Sequence, residues 1–165
     1  MFFIYSGQLL AGECNDTIDE DSSIQYSCSN EDTLTVNSGV TVDFDNNDVV
    51  EAQDTTGVTI INNGTIQNDG NNYQAPIDGE ATRNLTITNG STGTINATKR
   101  YGIFIDDSEQ VTITNRGTIK TTYTGTATNE QGAIYGNNIG NCGSGNCYNS
   151  SDSNGGEGLT LNNYG

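Results

Sequence analysis

The phrase VTITNRGTIK at residues 111–120 restates VTIINNGTIQ from Val58 and LTITNGSTGTIN from Leu85, and its opening returns as LTLNNYG from Leu159. Aligned on the first apolar residue, the copies begin at Leu34, Val58, Leu85, Val111 and Leu159, at intervals of 24, 27, 26 and 48 residues. A unit this short cannot bury an apolar face alone and gains stability by stacking on its neighbours. No other feature limits the fold as much.

Within each copy the apolar residues alternate: Val58 and Ile60, Leu85 and Ile87, Val111 and Ile113, Leu159 and Leu161. Period two is a strand, so Thr59, Thr86, Thr112 and Thr160 point to the opposite face. An asparagine follows (Asn62, Asn89, Asn115, Asn163), and in the three copies before the last a glycine then leads into Thr-Ile. Both residues tolerate the left-handed backbone of a tight turn, which predicts a corner there and a second strand with Ile66, Ile95 and Ile119 inward. A third apolar cluster precedes each copy, at 48–52, 76–80, 102–106 and 132–136. The long last interval is then a coil opened by GAIYG and delayed by a loop at 137–158. The prediction is an all-β solenoid, a parallel β-helix of three short strands per coil and about four coils, with stacked asparagines bonding along one corner.

Composition agrees. Asn, Thr, Ser and Gly supply the polarity, while charged residues make up only 16% of the chain and hydrophobic ones 32%. These residues disfavour helix and suit turns and strands. Low hydrophobicity with a formal charge of −16 is also the signature of disorder. Regularly spaced Ile, Val and Leu argue against that. With five Lys and Arg in total and no histidine, the chain is not suited to nucleic acid or to anionic membrane surfaces.

The cysteines fall into local pairs, Cys14 with Cys28 and Cys142 with Cys147. Zinc favours closer spacing and often histidine, so two disulfides in an oxidising compartment are expected. The apolar run at residues 1–12 resembles the tail of a secretory signal without its basic start; the alternative is a short buried strand. Residues 13–33, acidic and irregular, are expected to cap the stack. Residues 34–165 are expected to form the repeats and to continue past Gly165, where earlier copies read on into Thr-Ile.

VTITNRGTI preceded by YGIFIDDSEQ resembles the passenger repeats of bacterial autotransporters, and DTLTVNSGVTV resembles the start of such a passenger. The resemblance covers residues 31–135. It implies a right-handed β-helix, secretion to the bacterial outer surface, and a C-terminal membrane β-barrel in the full-length chain. It further implies a non-enzymatic stalk or adhesin with an unknown surface ligand, protein or glycan.

Candidate chemistry is sparse. Asp106 with Asp107, and Asp43, Asp45 and Asp48, are paired acids of the kind that glycoside hydrolysis uses, yet they stand at expected turns where Asp is ordinary. No catalytic residue, cofactor or metal is assigned, although DFDNND is rich in oxygen ligands. A carbohydrate-active β-helix enzyme, lyase or hydrolase, with its catalytic coils outside this segment, is the rival reading. The glycine-rich loop lacks a phosphate-loop ending. Tyr135 and Tyr148, in or beside it, are candidate contact residues. Outward Thr35, Thr59, Thr86, Thr112 and Thr160 would form a rank, with Thr88 and Thr114 beginning a second, a pattern that admits ice binding as a third reading.

Overall fold

In a computed structural model the chain is described at residues 11–69, 74–99, 101–122, 132–137, 139 and 158–164. All regular elements among them are strands, and the chain visits three parallel sheets in rotation. The first sheet takes Gly12–Glu13, Tyr26–Ser27, Val50–Glu51, Ile77–Glu80, Tyr101–Asp106 and Gly132–Asn137. The second takes Thr17–Ile18, Thr33–Val36, Thr59–Asn62, Thr86–Asn89, Val111–Asn115 and Leu159–Asn163. The third takes Thr41–Asp43, Thr65–Asn68, Thr94–Ala97 and Thr118–Thr121. One pass through all three is a coil, and the whole is a parallel β-helix. The delayed coil is real: Gly132–Asn137 pairs with Tyr101–Asp106, and Leu159–Asn163 then pairs with Val111–Asn115 in register.

Side-chain alternation fixes what faces in. Leu34, Ile60, Ile87 and Ile113 stack in register along the second sheet, each fully buried. Val42, Ile66 and Ile95 do the same along the third, and Val50, Ile77 and Ile103 along the first. Each such aliphatic side chain contributes roughly 1.5–3 kcal/mol of burial, but only because the next coil covers it. Ile119, expected inside, is half-buried, and Leu159 and Leu161 are 38% and 50% exposed. Their strands lie at the end of the described sheets and pair on one side only.

The register corrects the alignment of the first copy. Leu34 pairs with Ile60, not Val58, and Thr33 pairs with Thr59. The outward rank is therefore Thr33, Thr59, Thr86, Thr112 and Thr160, while Thr35 stands in the second rank beside Ile61. The segment expected as an irregular cap is more regular than its sequence implied: its short strands already join the first two sheets. Cys14 and Cys28 form a disulfide there, with Cα atoms 4.5 Å apart.

The corners also differ from expectation. Asn62, Asn89 and Asn115 end their strands with buried side chains, and neither they nor the glycines that follow have positive φ. The glycine is needed for space: a Cβ on Gly117 would run into the carbonyl oxygens of Gly93 and Gly90 in the preceding coil. Among the described residues, left-handed backbone reaches this corner only at Gly39 in the first coil and otherwise sits between the first and second sheets, at Glu31, at Asp54, Ala81 and Asp107, and again at Gly57, Asn84 and Gln110.

The asparagine ladder forms as expected. Asn62 Nδ2 donates to Asn89 Oδ1 at 2.8 Å, Asn89 Nδ2 to Asn115 Oδ1 at 2.8 Å, and Asn115 Nδ2 to Asn163 Oδ1 at 2.9 Å. The amide hydrogens also reach the backbone across the corner, as from Asn62 to the Thr94 carbonyl at 3.1 Å.

Candidate functional site

The inward face of the first sheet is aliphatic; its outward face carries the chemistry. Residues alternate with the buried Val50, Ile77 and Ile103, so Glu51, Asp78, Phe104 and Tyr135 fall in one outward row, in register from coil to coil. Glu80, Asp106 and Asn137 form the next row, where Asn137 Nδ2 donates to Asp106 Oδ1 at 2.9 Å. Carboxyls thus give way to aromatic rings along the axis.

The rings make a stack. Phe104 and Tyr135 are nearly parallel, with centroids 5.2 Å apart and planes 2° apart, and Tyr101 lies 4.6 Å from Tyr135 and 5.8 Å from Phe104. Tyr135 covers one side of Phe104. The coil on the other side offers Asp78 in the same row, and there a cleft of about 190 Å³ opens, lined by Asp48, Gln74, Asp78, Glu80, Tyr101 and Phe104.

Its electrostatics are one-sided. Burial pushes the Asp78 carboxyl up to about 8, helped by the charges of Asp48, Glu80 and Glu51. Asp78 Oδ1 is enclosed and has no hydrogen-bond partner among the described residues. Asp48 is raised to about 6, again chiefly by burial, against the opposing effect of the Ala75 N–H, which donates to Asp48 Oδ1 at 2.7 Å. Glu80 is raised by burial and by Asp106 and Asp107. Among the described residues, no lysine or arginine lines the cleft. Asp78 therefore holds a proton near neutral pH and can donate a hydrogen bond, or it can ionise if a cation enters.

A second acidic group lies elsewhere. Asp43, Asp45 and Asp69 bring carboxylate oxygens within 4.8 Å of one another. Their mutual hydrogen bonding and repulsion, led by Asp69, raise Asp45 to about 6. Three carboxylates are a start toward the oxygen cage calcium needs. Gln67 Nε2 already donates to Asp43 Oδ2 at 2.8 Å.

The acids singled out in the sequence are thus separated. Asp43 and Asp45 stay together and acquire Asp69, while Asp48 turns away to the cleft. Asp106 points outward on the first sheet, whereas Asp107 takes left-handed backbone at its corner, its N–H donating to Asp106 Oδ1 at 2.9 Å. Tyr135 is half-buried in the ring stack. Cys142, Cys147, Tyr148 and most of the 137–158 loop lie outside the described residues. The sequence reading missed Asp78 and Phe104, whose meeting depends on a register spanning one coil. No protein family matches the chain, and neither does any curated protein or solved structure.

Proposed function

We propose that this chain is a non-enzymatic β-helix passenger, secreted or displayed on a bacterial surface, and works as a rigid stalk that holds contact sites away from the cell. The observation that carries it is the continuous register of buried ladders through successive coils. Such a stack bends little, because every coil is bonded to the next along three walls. Its partner is a surface protein or glycan, and a membrane β-barrel is the expected carrier. Fused ahead of an outer-membrane autotransporter barrel, the chain should reach the surface of a bacterium and become accessible to added protease. Folded chain retained in the periplasm would contradict the passenger reading.

The cleft favours a second reading, a carbohydrate-active enzyme, because a carboxyl that stays protonated near neutral pH beside aromatic rings suits general acid work. Incubation with neutral, acidic and amino polysaccharides decides between them. Steady release of reducing or unsaturated ends, abolished in Asp78→Asn, would establish the enzyme; no release above that variant supports the stalk. The corrected threonine rank supports the third reading, ice binding, and thermal hysteresis of a concentrated solution measures it.

A further inference from the structure

An asparagine followed two residues later by Ser or Thr, with any residue but proline between them, is an acceptor for N-linked sugar. Among the described residues the pattern occurs at Asn15, Asn63, Asn84, Asn89 and Asn96. The fold sorts them. Asn89 is fully buried and its amide is committed to the ladder. Asn96 stands in the third sheet between Gln67 and Lys120, with its Oδ1 enclosed. Asn63 packs half-buried against Gly90 of the next coil. Asn15 is exposed but adjoins Cys14, which is fully buried in the disulfide with Cys28. Asn84 is exposed on the corner between Ile77–Glu80 and Thr86–Asn89, with its backbone N–H held by the Glu109 carbonyl at 3.1 Å.

Two further observations single out Asn84. It lines one shallow trough of about 490 Å³ together with Thr86, the hydroxyl residue of its own acceptor pattern, and with Gln110, Thr112 and Thr160. Among the described residues no charged side chain lines that trough, and amides and hydroxyls are the groups that hydrogen-bond a sugar. The corner itself does not require asparagine: Gly57 and Gln110 take the same left-handed backbone ahead of Val58 and Val111.

We propose that Asn84 is an N-glycosylation site, its side-chain amide carrying a neutral sugar that lies over the threonine rank of the second sheet. The donor is a sugar diphosphate, used by a transferase that reads the Thr86 hydroxyl. Asn84 Nδ2 bonds to the anomeric carbon and gives up one proton to the transferase; the bond from that carbon to the diphosphate breaks, and its electron pair leaves with the diphosphate. N-linked sugar is bulky and solubilising and belongs on an exposed surface. Over Thr86 and Thr112 it keeps a flat lattice off the rank, which sets it against ice binding. The proposal goes beyond the stalk reading and does not need it. A failed secretion experiment would leave the acceptor standing, and a bare Asn84 would leave the stalk standing.

The test is peptide mapping by mass spectrometry of the whole chain isolated from the cells that make it. A sugar mass on the peptide holding Asn84 is expected, with Asn63, Asn89 and Asn96 bare. Occupancy should vanish in Asn84→Gln and in Thr86→Val and persist in Thr86→Ser. Both disabling variants suit the fold, since Gln110 already adopts φ 55° at the matching corner and valine replaces only the threonine hydroxyl; far-UV circular dichroism confirms it. In a second measurement, the folded chain is treated with a purified transferase of this acceptor specificity and UDP-glucose. Asn84 should gain hexose at least about tenfold faster than Asn89, which must wait for local opening, and unfolding should erase the difference. A bare Asn84 in the isolated chain, sugar at Asn15 alone, undiminished occupancy in Thr86→Val, or equal rates at Asn84 and Asn89 in the folded chain would each overturn the proposal.

Discussion

Asn89 Nδ2 donates to Asn115 Oδ1 at 2.8 Å, while Asn89 Oδ1 accepts from Asn62 Nδ2 at the same distance. One buried amide therefore ties three coils together, and its Nδ2 also reaches the carbonyls of Gly93 and Thr118 at 3.2 Å. Replacing it with leucine strands a donor below and an acceptor above. Asn89→Leu should cost about 2–4 kcal/mol in denaturant unfolding, since each buried polar group left without a partner costs about 1–3 kcal/mol. Asn115→Leu, at a position slightly exposed, should cost less. Unchanged midpoints for both would remove the ladder from the stability of the stack.

Two small substitutions at corners should move stability in opposite directions. Gly117→Ala sets a methyl against backbone oxygens of the coil before it and should destabilise by more than about 2 kcal/mol. Ala81→Gly relieves a left-handed backbone, φ 54°, and should stabilise by up to about 1 kcal/mol. Thermal unfolding of the pair checks both signs.

Acid should stabilise this protein. The folded carboxyl of Asp78 is raised from 3.8 to about 8, and that of Asp48 to about 6. A raised carboxyl favours folding fully below its unfolded value, and the contribution is lost as pH rises through the folded value. Tm should therefore fall between pH 4 and pH 8.5. Repulsion within a chain of charge −16 acts in the same direction, so the variant isolates the site. Asp78→Asn should flatten the profile and raise Tm at pH 8.5 by about 5 °C or more, the shift expected for roughly 2 kcal/mol. An equally steep profile in the variant would contradict the burial of Asp78.

The disulfide acts at one end. Cys14 is fully buried and closes a separation of 14 residues with Cys28. Cys28→Ser should cost about 3 kcal/mol. Amide exchange should accelerate first in Gly12–Glu13 and Tyr26–Ser27, leaving Thr86–Asn89 protected.

The coil was legible because alternation with Thr outside and Ile inside needs only neighbours in sequence: Ile87 and Thr86 declare themselves. The ladder was legible because Asn62, Asn89 and Asn115 recur at one place in the phrase. The first copy misled because Leu34-Thr35-Val36 shows the same apolar alternation as Val58-Thr59-Ile60, yet Leu34 stands at the place of Ile60 and Val36 where later coils put the asparagine. The cleft was hidden for a different reason. Asp78 in PIDGE reads as a turn acid, and its facing Phe104 follows only once Ile77 is paired with Ile103. Ala81 gave no sign of its left-handed backbone, since alanine carries no such preference.

Everything about the site depends on register, and methyl-resolved NMR of an Ile, Leu and Val labelled chain measures register directly. The account predicts an unbroken series of contacts from Leu34 to Ile60, Ile87 and Ile113, and a second from Val42 to Ile66 and Ile95. Cross-coil contacts displaced by two residues, with Leu34 against Val58 and Ile60 against Leu85, or no cross-coil contacts at all, would contradict it.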